Sequence, residues 1–316
     1  MRQLRQLMLP ALLLTLGGCA RATSAQVTPA AKPPVPAPVR ADTTSLKHVL
    51  DSIADAHHGV VGYSVIDLDN NARLSRRGDE TFSTASLIKV AILVTVYDLV
   101  SKGELSLYDP LTVLKIDQVP GSGIAQYLHN GTILTVQDAV WLMITISDNT
   151  ATNLLLDRII IRRVWDKMEA LGLQHTKVHS KTFRRNSSVA YDSSVKYGFG
   201  VTTPNEMAKL FELLARGKAV SAKADSQMLD VLEHNGNDMM LQRYSGGARA
   251  AHKDGETDQV RTECSLWYLR NRIVACVLTK DNTDQRWIID NEGNLTLARM
   301  GEAIIKAWGG ALPPPP

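Results

Sequence analysis

Cysteine and phenylalanine are scarce in this chain, with three and four copies among 316 residues, and aromatics make up only 5%. Charge of either sign is not in excess: 35 Lys and Arg stand against 32 Asp and Glu, a formal +3. No basic run is interleaved with aromatics, so the sequence carries no footprint for nucleic acid. His48, His57 and His58 have no cysteine or carboxylate set at ligand spacing beside them, which leaves them as solvated side chains. Nothing points to a metal or an organic cofactor, and no internal repeat is present. The hydrophobic share of 44% suits one large domain, or two intimately joined ones, with a real core.

The one strongly apolar stretch near the start, Leu7 to Leu16, is too short to span a bilayer. It follows Arg2 and Arg5 and precedes Gly17-Gly18-Cys19, the anatomy of a secretory signal. Leu16-Gly17-Gly18-Cys19 also resembles the bacterial lipobox, in which the cysteine becomes the lipidated first residue. Residues 1–19 are therefore expected to be a lipoprotein signal peptide. Cys19 would anchor the exported protein to a membrane, facing the periplasm; an ordinary signal cut nearby would give a secreted protein instead. Residues 20–41, rich in Ala, Pro, Thr and Val, read as an extended tether. The remaining cysteines, Cys264 and Cys276, flank Arg270-Asn271-Arg272, the expected turn of a hairpin. An exported compartment permits a disulfide between them; two small buried thiols are the preferred reading.

Hydrophobic periodicity predicts a helix over Asp42–Ala56, strands over Val60–Leu68 and Ala72–Arg76, and an apolar helix running to Val100. Thr135 opens a further helix, and Ser147-Asp148-Asn149 opens another that reaches about Lys167. Residues 174–200 show no period and read as a long loop. Helices follow from Thr203-Pro204 and over 221–234, then a strand over His252–Val260, the hairpin, and a closing helix over Asn294–Trp308. Strands thus flank a helical middle. The expected class is α/β of the α+β kind: an antiparallel sheet flanked by N- and C-terminal helices. An all-helical subdomain of about residues 86–215 is inserted into a domain of residues 42–312.

The chemistry centres on Ser86-Leu87-Ile88-Lys89 at the head of the apolar helix. Three residues apart on a helix are neighbours, so the Lys89 amine is expected beside the Ser86 hydroxyl. Burial among Ile, Leu and Val favours a neutral lysine, and a neutral lysine is a base that can activate a serine. A second Ser-x-x-Lys, Ser193-Ser194-Val195-Lys196, is expected to have no helix to hold it. Ser147-Asp148-Asn149 and Lys253-Asp254-Gly255 follow in order.

This ordered set resembles the class A serine β-lactamases and penicillin-binding proteins, whose motifs are S-x-x-K, S-D-N and K-T-G. Gly121-Ser122-Gly123-Ile124, Met143 to Leu155 and Val201-Thr202-Thr203-Pro204 carry the resemblance further, so that it spans about Asp42 to Trp308. It implies that Ser86 is acylated, that Lys89 accepts or relays its proton, and that Ser147 passes a proton to the leaving nitrogen. Asn149 would hold the substrate amide, and Lys253 would face a substrate carboxylate, with Arg261 as a second contact or a mere surface arginine. The Ser86 and Glu256 N–H groups would form an oxyanion hole beside Gly255. The implied substrate is a small molecule, a β-lactam or a D-alanyl peptide. Two departures stand out. The loop pattern E-P-x-L-N falls on Thr182 to Asn186, so Asn186 matches while Thr182 replaces the glutamate that activates the deacylating water. No Asp or Glu lies between Glu169 and Asp192. The middle Thr of K-T-G is Asp254. Efficient hydrolysis, a D,D-peptidase or esterase with the same machinery, and a binding module without turnover are the readings left open.

Overall fold

The computed structural model describes residues 37–309, and the expected signal peptide, Cys19 and most of the tether lie outside them. The chain enters helix α1 (Thr43–Asp55), whose cap is Asp42: its carboxylate accepts from the Thr44 and Ser45 N–H groups. Strands β1 (Val60–Asp67) and β2 (Arg73–Arg76) form a hairpin, and the short β3 (Phe82–Ser83) leads to a single 3₁₀ turn, Ala85–Ile88. Helix α2 (Lys89–Ser101) follows, buried over almost its whole circumference as its apolar run dictates. Strands β4 (Pro110–Val113) and β5 (Thr132–Thr135) pair before α3 (Val136–Thr145), which opens on a reciprocal capping box between Thr135 and Asp138. Helices α4 (Asn149–Ile159) and α5 (Ile161–Ala170) come next. Then come β6 (Lys177–Val178), α6 (Tyr191–Tyr197), β7 (Gly200–Thr202), α7 (Pro204–Ala215) and α8 (Ala222–Glu233). The chain closes with β8 (Ala250–Thr257), β9 (Val260–Tyr268), β10 (Arg272–Lys280) and α9 (Glu292–Ala307).

The main sheet has the order β2-β1-β10-β9-β8, every pair antiparallel. Successive residues of a strand point to opposite faces, and β10 shows both faces at work. Ile273, Ala275 and Val277 join a core with Leu50 of α1 and Ile304 of α9. Val274, Cys276 and Leu278 join the larger core with α2 and α7. A strand buried on both sides reads as a nearly continuous apolar run, which is why Ile273–Leu278 carries little alternation. The expected fold class is the one observed, a sheet with its N- and C-terminal helices together on one face, but the inserted region of about 86–215 is not all-helical: it carries the β4–β5 and β6–β7 pairs.

Several local expectations are corrected. The turn before β10 is Leu269-Arg270-Asn271, one residue earlier than expected, and this register sets Cys264 opposite Cys276. They form a disulfide, not two free thiols. Residues 174–200 hold α6, so Ser193 to Lys196 do lie on a helix. His57 is buried, bonded to Thr296 Oγ1 and Asn282 Oδ1, while His58 contacts Glu292. The described end of the tether is tied down: Val39 N–H donates to Asn271 Oδ1, and Val39 O accepts from Asn70 and Asn271.

The helix expected to run from Ser147 to Lys167 is broken at Ile160, whose φ is +68° and ψ +128°. A β-branched side chain in that region carries strain of about 1–3 kcal/mol. Ile160 is 60% exposed, so its removal forfeits little burial. Ile160→Gly should raise unfolding stability by about 1 kcal/mol after the extra backbone entropy of glycine is counted. Urea unfolding checks this; a lower midpoint would show that the Ile160 side chain stabilises more than its backbone costs.

Candidate active site

Ser86 lies in the 3₁₀ turn ahead of α2, after Ala85 with φ +45°. The turn is pressed against β8. A Cβ built on Gly255 would stand 2.7 Å from the Ser86 and Leu87 nitrogens and 2.4 Å from Thr84 O. Only glycine fits there, which is the physical content of the third position of Lys253-Asp254-Gly255. Thr262 on β9 completes the contact, its hydroxyl lying 2.9 Å from Thr84 O and 3.1 Å from Gly255 O.

Lys89 is fully buried. Its Nζ donates to Ser147 O at 2.7 Å and Asn149 Oδ1 at 3.0 Å, and lies 3.1 Å from Ser147 Oγ. The expected contact with Ser86 is not among these; the amine is turned to the Ser147–Asn149 segment. Burial first, then the nearby Lys253 charge, pull Lys89 well below the ordinary lysine range against the opposing charges of Asp254 and Asp148. A neutral amine has two N–H donors and one lone pair. The two acceptors Ser147 O and Asn149 Oδ1 take the donors, which leaves the lone pair for a hydroxyl.

Ser147 has φ +56°, and Asp148 caps α4 by accepting from Ala151 N–H at 2.8 Å. The second Asp148 oxygen accepts from Ala125 N–H at 2.7 Å, which docks the Gly121–Ile124 loop onto this segment. Gly123, at φ +97°, must be glycine because a Cβ would lie 2.2 Å from Asp148 Cγ. Asn149 N–H donates to Ser122 O, and its Nδ2 donates to Pro120 O. The S-D-N and G-S-G stretches are thus one interlocked unit.

The resulting cleft encloses about 480 Å³, within the range of small-molecule sites. Ser86, Ser147, Asn149, Asp254 and Glu256 line it, as does Thr182. Thr182 N–H donates to Asn153 Oδ1 at 2.8 Å, and its hydroxyl is 3.2 Å from Asn149 O and 3.0 Å from Asn153 Oδ1. A hydroxyl therefore occupies the place where the resemblance implies a carboxylate. Asn186 is exposed and is not among the residues lining the cleft. Its assignment to substrate binding is corrected, because the short turn Arg185–Ser187 turns away after Thr182.

Lys253 on β8 is fully buried, and its Nζ donates to Asp254 Oδ1 at 2.7 Å and Asp254 O at 3.1 Å. Asp254 also accepts from Asn235 Nδ2 and Asn237 Nδ2, each at 2.9 Å. Burial alone would raise the Asp254 carboxyl; the Lys253 charge and hydrogen bond, with the two amides, outweigh it and hold the group below the usual carboxylate range. Burial, then the Asp254 charge, push Glu256 upward against Arg261 and Lys253. Arg261 is neither a surface arginine nor a free contact. It is 1% exposed, donates to Thr257 O, Val260 O and Asn294 Oδ1, and stands 3.8 Å from Glu256 Oε2. Sequence reasoning missed Asn235, Asn237 and the ring residues Phe183, Phe199 and Trp287 that line the cleft. They sit in loops or at helix ends, where no periodicity marks them.

Comparison with known proteins agrees with this geometry. The profile of the "Beta-lactamase enzyme family" matches residues 45–308. The AER-1 β-lactamase of Aeromonas hydrophila is 29% identical over 196 residues, 61% of this chain and 63% of that protein. The chain thus matches less than two thirds of that relative's length. The β-lactamase structure from Sphaerobacter thermophilus superposes with a TM-score of 0.76 at 29% identity, covering 87% of this chain and 100% of the other. A PBP-A variant solved as an acyl-enzyme complex with penicillin G gives a TM-score of 0.74 at 25% identity, over 85% and 98% of the two chains. With the profile spanning the sheet, the helical layer and the cleft alike, the chain belongs to the beta-lactamase enzyme family, alongside class A enzymes and penicillin-binding proteins.

Proposed function

We propose that this protein is a serine hydrolase that opens β-lactams through an acyl-enzyme on Ser86. The observation that carries the reading is the buried Lys89 amine, depressed towards neutrality and 3.1 Å from Ser147 Oγ at the foot of the cleft that exposes Ser86. Ser86 Oγ forms a bond to the acyl carbon as its proton passes to Lys89, directly or through Ser147. The acyl C–N bond then breaks, and the Ser147 hydroxyl delivers the proton to the leaving nitrogen. The N–H groups of Ser86 and Glu256 stabilise the developing oxyanion. Asn149 holds the substrate amide. The PBP-A acyl-enzyme with penicillin G supports this half-reaction by relationship.

Deacylation is proposed to be the slow half. Thr182 offers a hydroxyl, which has no useful basicity near neutral pH, where a carboxylate would activate water. That same residue favours a second reading, a penicillin-binding D,D-peptidase or esterase with this acylation machinery. Penicillin should give a rapid stoichiometric burst of ring opening followed by a slow steady state. Ser86→Ala should abolish the adduct, and Lys89→Ala should slow its formation by about 10²–10⁴-fold or more. A linear trace at high turnover would contradict slow deacylation, and an adduct on Ser193 would overturn the choice of nucleophile.

We also propose that the protein is exported and lipid-anchored. Residues 1–19 act as a lipoprotein signal, and Cys19 anchors the mature protein to a membrane on the periplasmic side. The lipobox-like Leu16-Gly17-Gly18-Cys19 and the proline-rich segment after it support this. Among the described residues no helix is long and apolar enough to cross a membrane. Cys19→Ser should move the protein from the membrane to the soluble fraction; retention in the membrane with unchanged processing would contradict the anchor.

A further inference from the structure

The charge that faces the cleft has the wrong sign for a substrate carboxylate. Asp254 and Glu256 are the ionisable acids on its wall, and neither Lys89, Lys253 nor Arg261 lines it. Lys253 is fully buried with its ammonium engaged by Asp254. The Arg261 guanidinium is spent on the carbonyls of Thr257, Val260 and Arg286 and on Asn294. It offsets Glu256 from 3.8 Å but does not line the cleft itself. Lys89 is held towards its neutral form by the same burial that makes it a base.

Asp254 is a built feature of this wall. It is 5% exposed, and Lys253, Asn235 and Asn237 all converge on its two oxygens. Swinging it away would strand two amides and a buried ammonium, at the cost attached to unpaired buried polar groups. A fixed carboxylate therefore precedes any ligand. Phe183, 67% exposed, and Trp287, 60% exposed, also line the cleft, and the Arg261 guanidinium already stands 5.3 Å from the Trp287 ring centroid. Carboxylates beside exposed aromatic faces form a setting that attracts an ammonium ion.

We propose that the cleft selects acyl substrates bearing an ammonium group beside the scissile bond, ahead of neutral ones, with carboxylate-bearing substrates last. This rests on the acyl-enzyme reading of Ser86 and names the substrate class for it. The ammonium lies against the fixed Asp254 carboxylate and Glu256, with the exposed Phe183 ring on the same cleft.

Three matched penicillins test this: the free acid, its methyl ester and its 2-(dimethylamino)ethyl ester, which is cationic at neutral pH. Intact mass spectrometry of the full chain follows the rate of adduct formation for each at low and high salt. The cationic ester should react fastest and the free acid slowest, about tenfold or more apart, with the gap shrinking in high salt. Asp254→Asn should free Lys253 and bring the free acid level with or ahead of the esters. Glu256→Gln, at a half-exposed position, should narrow the same gap. A free acid that reacts fastest with the unmodified chain overturns the proposal, as do ratios unchanged in both variants. Adducts on Ser86 in the wrong order leave the acyl-enzyme reading standing and remove only this one. No adduct with any of the three removes both.

Discussion

The site depends on an amine held without water. Lys89 heads a helix buried on nearly every side, and no solvent reaches its Nζ. Burying an ammonium is costly, so the group sheds charge instead. Below the ordinary lysine value the unfolded chain binds a proton that the folded chain releases. Across that window stability rises with pH, so the buried amine weakens the fold at neutral pH. The fold offsets this through the packing of α2 and through three contacts to Ser147 and Asn149. The left-handed Ser147, the Asp148 cap and the docked Gly123 loop all serve to aim those acceptors at one nitrogen.

The second constraint is steric. The Ser86 turn lies so close to β8 that Gly255 can carry no side chain, and Thr262 bonds to both sides of the contact. The helical layer and the sheet are thereby registered against each other at the nucleophile. Everything that tunes the site enters around this junction. Asp254 enters on β8 with two asparagines behind it, and Thr182 enters from the loop after β6 with Asn153 behind it. Asn235 also lies 3.4 Å from His252, which bonds the buried Glu263, so the Asp254 wall is backed by a polar network and not by a deformable apolar core. The two departures from the family's motifs are thus both seated in satisfied hydrogen bonds.

Much of this was legible in the sequence because it is local. Asp42, Thr135 and Asp148 cap the helices they precede; Ser86, Ser147, Asn149 and Asp254 line one cleft, with Lys89 bonded to Ser147 and Asn149 and Gly255 packed against the Ser86 turn. What escaped is set by tertiary contact. Lys89 turns to Ser147 because the competing acceptors belong to a segment some sixty residues later. Arg261 looked like a surface or ligand-binding residue, yet carbonyls across the sheet edge capture it. His57 is drawn inward by Asn282 and Thr296, far along the chain. The hairpin turn lies one residue earlier than expected, which shifts the cross-strand register by two residues and sets Cys264 opposite Cys276. Ile160 breaks a periodic helix with a backbone conformation that its side chain disfavours, and α6 is too short and polar for its pattern to show.

The protonation of Lys89 is the most direct measure of whether this site can work as a base–nucleophile pair. Carbon-13 at the lysine ε position, read by NMR across the pH range, separates neutral from charged side chains, and Lys89→Met assigns the signal. Lys89 should stand apart from the bulk lysines, carrying the neutral-amine shift at pH values where they are fully protonated. A Lys89 signal that titrates with the others near about 10.4 would contradict the assignment of this amine as the base.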